Sequence, residues 1–188
     1  MNATTENVQS TKVVTGQVRF SYLHIWEPSA VQEGQEKKFS ASLIIPKSDK
    51  DTIAKIEAAV SAAREQGKGK WGGKIPAKLK LPLRDGDEER PEDEAYAGCY
   101  FLNANAKTRP GIVDKFANPI MNQDEVYSGC YGRASITFFA YDSNGSKGIA
   151  CGLNHLMKTK DGEALGGRST AESDFAEVIG VEEDDLLG

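Results

Sequence analysis

The sequence holds little of what an enzyme's active site is built from. Only two histidines occur, His24 and His155, and neither lies near a cysteine or serine in a nucleophile setting; both read as strand-end or surface residues. The three cysteines, Cys99, Cys130 and Cys151, are widely spaced and lack the C-x-x-C pairing of zinc and redox sites, so they read as reduced, partly buried thiols. Gly67 to Gly73, GKGKWGG, carries glycines and lysines without the spacing of a phosphate-binding loop. No apolar run is long enough to cross a bilayer, and Met1 to Thr11 is polar with Glu6 as its only charge, unlike a signal peptide. No catalytic group, metal or cofactor is therefore expected, no membrane partner is implied, and the chain is expected in the cytoplasm.

Charge is present but unevenly placed. The formal net charge of -5 argues against a polyanionic partner only if it is spread evenly, and it is not. Residues 1–160 hold 22 basic against 19 acidic side chains, whereas residues 161–188 hold 1 against 9. Within the body, Arg84 to Glu94 contributes 2 basic and 7 acidic residues, which leaves the remainder of the body at about +8. That remainder suits a polyanion.

The 188 residues fit one ordinary domain with a short appendage. Val13 to Leu23 reads as a strand with Val14, Val18, Phe20 and Tyr22 on its core face and Thr15, Gln17, Arg19 and Ser21 opposite. Lys37 to Ile45 repeats the pattern with Phe39, Ala41, Leu43 and Ile45, and Pro46 stops it. Ser48 offers a helix N-cap; Ile53, Ile56, Val60 and Ala63 keep helical spacing as far as Gly67. A basic, glycine-bearing excursion, KGKWGGKIPAKLKLPL, then precedes the acidic run DGDEERPEDE. Tyr96 to Ala106 and Val126 to Tyr141 are strands, the latter with Ala134, Ile136, Phe138 and Ala140 inward and Tyr131, Arg133, Ser135, Thr137, Phe139 and Tyr141 outward. Asp142 to Gly145, DSNG, is a hairpin turn leading into Gly148 to Leu153. The expected fold is mainly β, an OB-like five-stranded barrel with one amphipathic helix and long loops. Residues 1–11 are expected to be flexible, 12–160 to form the barrel domain, and 161–188 to be a disordered acidic tail.

Binding without sequence preference to single-stranded DNA needs aromatic faces for stacking and a basic track for phosphates, and the chain interleaves both. Trp71 lies among Lys68, Lys70 and Lys74; Tyr100 and Phe101 precede Lys107 and Arg109; Tyr131 and Arg133 share a strand face, and Arg19 shares the non-core face of the first strand. These residues form the expected DNA site, with Trp71 singled out because its flanks are too polar for a core strand. The tail closes on Glu182, Glu183, Asp184, Asp185, Leu186 and Leu187, an acidic run ending in apolar residues that suits docking to a partner or competition for the basic groove. Three other classes stay open: a metal-dependent nuclease using carboxylates such as Asp87, a protein-interaction module, and a duplex or RNA binder. A homo-oligomer is also left open.

The segments FSASLIIPKSDK, GKWGGKIP, LPLRDGDEERPEDEAYAGCYFLNA, KTRPGIVD, YSGCYGRAS, KGIACGLNH and LGGRSTAESDF resemble the single-stranded DNA-binding proteins of tailed bacteriophages and prophages, from about Val13 to Phe175. The resemblance implies an OB-fold that coats single-stranded DNA in a bacterial host during phage replication or recombination, with partner proteins engaged through the acidic tail. It assigns no individual base contact. One departure is visible: the helix follows the second strand, whereas a typical OB-fold carries it between the third and fourth.

Overall fold

The computed structural model describes residues 10–30, 32–143, 145–165 and 175. The docking motif expected at 182–187 and most of the N-terminal segment lie outside the described residues. Among the described residues eight strands form one sheet: β1 (Lys12–Val14), β2 (Val18–Ser29), β3 (Lys38–Pro46), β4 (Arg84–Asp85), β5 (Cys99–Ala106), β6 (Gly111–Val113), β7 (Tyr131–Ser143) and β8 (Ser146–Lys160). Helix α1 (Lys50–Gln66) follows β3, and a single turn, α2 (Gly86–Glu89), follows β4.

Five of the strands close on themselves. β2 pairs antiparallel with β3, β3 with β5, β8 with β7, and β7 returns to β2 through Val18–Gly132 and Arg19–Tyr131. The ring is completed by a parallel contact between β5 and β8 at Asn105–Gly152. This is an OB-like barrel, with the helix between its second and third strands as the sequence order requires. Inward positions alternate as period 2 dictates: Phe20, Leu43, Ile45, Leu102, Ala104, Ile136, Phe138, Cys151 and Leu153 are buried together in the barrel core. Helix α1 starts on the Asp49 side chain, which accepts from the Thr52 amide at 3.2 Å, one residue later than expected. It buries Ile56, Ala59, Val60 and Ala63.

Closure at Asn105–Gly152 alone leaves β5 and β8 apart along the rest of their length. The excursion after α1 fills that opening. Lys80 bridges Gly148 on β8, and Arg84 and Asp85 pair with Phe101 and Tyr100 on β5. The basic run and the acidic run are thus the two sides of one wedge.

Trp71 anchors the wedge and corrects an expectation. It is buried in the main core with its indole Nε1 donating to the Tyr141 carbonyl at 3.0 Å. Its polar neighbours point outward from a short helical turn, Gly67–Trp71, that folds back under β7. Phe101, also expected to face DNA, is buried in a second cluster with Ile44 and Tyr96, because the acidic run covers the outer face of β3 and β5. Conversely, Val14 and Tyr22, expected in the core, are exposed while Val13 is buried. Among the thiols, Cys130 and Cys151 are buried and Cys99 half-buried, all unpaired.

Trp71→Ala removes a filled core position and leaves the Tyr141 carbonyl without its donor. A loss of about 3–5 kcal/mol is expected, read as a lowered urea midpoint at unchanged slope. An unfolding midpoint like that of the parent chain would contradict the anchoring role.

Candidate nucleic-acid interface

The residues expected to form one groove are dispersed. Arg19 is committed: its Nε donates to the Gly129 carbonyl at 3.0 Å and its guanidinium to the Glu163 carbonyl at 2.7 Å. The Tyr131 ring has Arg19 at 5.3 Å and the Lys160 ammonium also at 5.3 Å, so two cations occupy it. Arg133 is exposed, although its Nε donates to the Thr15 carbonyl at 2.8 Å. Lys68 pairs with Glu65, Lys70 donates to the Ala140 carbonyl at 3.0 Å, and Lys74 is exposed, all beside the buried Trp71. Tyr100 lies under Lys47 near the start of β5, whereas Lys107 is exposed just past its end. Arg109 reaches back to the Trp26 carbonyl at 2.7 Å.

The acidic run is held by specific pairs. The Lys47 ammonium bridges Asp85 and Asp87 at 2.8 and 2.9 Å, Asp87 also accepts from the Gly98 amide at 2.9 Å, and Arg84 holds Glu89. Asp85 and Asp93 cap the short turns that follow them. Three of the carboxylates are thus matched by cations of the body. Among the described residues no group of three or more His, Cys, Asp or Glu is placed to hold a metal ion.

What the fold does bring together is a strip across the outer faces of the barrel strands. Phe139 on β7 is 46% exposed. Gly152 on β8 lies beside it: a Cβ there would meet the Phe139 ring at 3.5 Å and the Asn105 carbonyl at 4.0 Å, so the missing side chain keeps the surface open between the two. Asn105 on β5 then lines a cleft of about 570 Å³ with Ser40 and Lys38 of β3, His24 and Ser29 of β2, and Gln35 and Glu36 of the connecting loop. Near the β7–β8 turn, Lys78, Lys80 and Lys147 border a shallower hollow of about 370 Å³. Aromatic face, polar hydrogen-bonding edges and flanking cations therefore follow one another over the sheet.

Sequence reasoning placed Phe139 outward through the β7 alternation but did not select it. Lys78 and Lys80 stood in the basic run without a reason to prefer them, because only the wedge sets them beside Lys147. Lys38 and Asn105 gave no signal of their own.

A family model described as Enterobacter phage Enc34, ssDNA-binding protein, matches residues 11–187. Protein p50 of Acyrthosiphon pisum secondary endosymbiont phage 1 is 34% identical over 187 residues, which cover 94% of this chain and 98% of that one. Among solved structures, the single-stranded DNA-binding protein from bacteriophage Enc34 in complex with ssDNA is similar at TM-score 0.73 and 26% identity, over 84% of this chain and 91% of that chain. The gp2.5 single-stranded DNA-binding protein of bacteriophage T7 is similar at TM-score 0.59 and 12% identity, over 89% of this chain and 94% of that one, a likeness of fold alone.

The ion pairs beneath the acidic run give a pH signature. The hydrogen bond from Lys47 holds Asp85 below its ordinary value of 3.8. Asp87 is held below 3.8 first by the Gly98 amide and then by Lys47. Depressed carboxylates contribute fully above their ordinary value and lose the contribution as pH falls through the lowered one. Lys47 is raised by Asp85 and then Asp87, so its share is complete below its ordinary value and fades only in strong alkali. The Gly98 amide resonance should accordingly titrate with a midpoint below 3.8, and Lys47→Met should move that midpoint upward.

Proposed function

The chain belongs to the family of the Enterobacter phage Enc34 ssDNA-binding protein, and from that membership we propose that it binds single-stranded DNA without sequence preference along the Phe139–Gly152–Asn105–Ser40–His24 strip. The observation carrying this reading is the strip itself. An exposed ring on a rigid strand offers a stacking face to any base; Asn105, Ser40 and His24 offer donors and acceptors to base edges. Lys38 at one end and Lys78, Lys80 and Lys147 near the β7–β8 turn supply a phosphate track. The exposed Lys68, Lys74, Lys107 and Arg133 extend the positive field around it.

Single strands suit this surface better than duplex, because a base must be unstacked to lie on Phe139. Each stacked base contributes on the order of 1–3 kcal/mol, so a few such contacts plus phosphate pairing support micromolar binding or better. We further propose that coating serves phage replication or recombination in the host cytoplasm, and that Glu182 to Leu187 dock partner proteins or compete for the strip.

Fluorescence anisotropy of a labelled oligo-dT tests the reading. Binding should survive duplex competitor, and if about four phosphates are neutralised the slope of log affinity against log salt should be about -3. Phe139→Ala should weaken it without lowering stability, and truncation after Gly167 should strengthen it. Absence of any binding, even by the truncated chain, would favour a protein-interaction role instead.

A further inference from the structure

Tyr22 sits where the ladder between β2 and β3 breaks. Pairing passes from Ser21–Ser42 to His24–Ser40, so Tyr22 and Leu23 together oppose Ala41, a β-bulge. Leu23 packs inward, and its amide donates to the Ser128 hydroxyl at 3.2 Å. Tyr22 takes φ 47°, a left-handed conformation that a bulky side chain adopts only when its surroundings impose it. The result is a phenol ring 55% exposed on a strand whose alternation would have buried it. Backbone strain is here spent on presenting an aromatic face to solvent.

Arg90, in the acidic run, stands over that ring. Its guanidinium lies 5.4 Å from the Tyr22 centroid, 5.0 Å from Tyr96 and 5.1 Å from Phe101. The neighbouring cations behave differently: Lys47 takes Asp85 and Asp87, and Arg84 takes Glu89. Arg90 has seven carboxylates within its own stretch of sequence, yet among the described residues it makes no ion pair and its buried Nε has no hydrogen-bond partner. A guanidinium held by rings alone, beside so many available anions, leaves its donors uncommitted. Arg64 also buries an unpaired Nε, so what sets Arg90 apart is its place over the exposed Tyr22 ring with no ion pair among the described residues.

Resting on the single-strand reading above, we propose that Tyr22 and Arg90 form a base clamp in the interface. An unpaired nucleobase stacks on the exposed Tyr22 ring. Arg90, oriented by Tyr96 and Phe101, donates to an oxygen of the same nucleotide. Tyr22 is the stacking residue, Arg90 a contact and positioning residue, and the acidic run is the frame that carries Arg90 to the DNA. Its carboxylates at 85, 87 and 89 repel the strand less than their number suggests, because Lys47 and Arg84 offset two of their three charges. A duplex, whose bases are stacked and paired, offers this clamp nothing.

Oligo-dT anisotropy on the full chain separates the outcomes. Tyr22→Leu is expected to weaken binding roughly 5- to 150-fold, Tyr22→Phe to bind like the parent, and Arg90→Met, which keeps an apolar stem over Tyr96 and Phe101, to fall in the same range as Tyr22→Leu. The double variant should lose less than the product of the two, since both act on one nucleotide. Photocrosslinking of an oligonucleotide carrying iododeoxyuridine needs no variant and should place an adduct on Tyr22. Parent-like binding by Tyr22→Leu and Arg90→Met, or adducts only at other residues, overturns the clamp while leaving the single-strand reading intact. Failure of the unsubstituted chain to bind any oligonucleotide overturns both.

Discussion

A five-stranded barrel whose one parallel junction is a single residue pair, Asn105 with Gly152, has an opening that something must close. The placement of the charged excursion follows from how it is closed. Exposed ladder groups and apolar side chains at such an opening would be costly if left to water or left unpaired. The excursion between α1 and β5 supplies the missing partners: Lys80 to β8 and Arg84 with Asp85 to β5. Trp71 holds the excursion at its start through the core and the Tyr141 carbonyl, and Tyr96 holds it at its end through the Ser42 hydroxyl at 3.2 Å. Between those two anchors the chain passes first the lysines and then the carboxylates, so the charge order of the sequence becomes a spatial order on the barrel surface.

That arrangement reduces the conflict between an acidic protein and a polyanionic ligand. The carboxylates of the excursion that lie nearest the barrel face are matched by Lys47 and Arg84, and the lysines on its other limb face solvent around the β7–β8 turn. Exposed ion pairs contribute little stability individually. Their role here is partial charge compensation: Lys47 and Arg84 offset two of the run's seven negative charges where it lies across the outer face.

Much of the architecture was legible because it rests on local rules. The 3.6-residue spacing of Ile53, Ile56, Val60 and Ala63 marked α1, the alternation from Ala134 to Ala140 marked β7, and DSNG marked the turn, where Gly145 takes φ 81°. The candidate site was less legible for a physical reason. Polarity of flanking residues says which way neighbours point, and in a short helical turn such as Gly67–Trp71 it says nothing about the tryptophan itself. Phe101 obeyed strand alternation and still became buried, because a segment distant in sequence covers its face. Tyr22 disobeyed alternation because a bulge adds a residue, and nothing in a single strand's pattern announces a bulge.

The exit of the chain from the barrel is governed by the same covered face. After β8, Tyr127 receives the strap: its hydroxyl donates to Asp161 and accepts from the Gly162 amide, Arg19 takes the Glu163 carbonyl, and the Leu165 amide donates to the Ser128 carbonyl. A Cβ at Gly162 would strike the Gly129 carbonyl, so backbone lies directly on backbone there. Leu165 then packs on the Ile44–Tyr96–Phe101 cluster. The strap thus reaches the acidic frame at Leu165, and the sequence after it, residues 166–188, carries one basic and seven acidic side chains. The path of residues 161–165 is set by Arg19, Tyr127 and Ser128, so the same elements that close the barrel also direct the chain away from it.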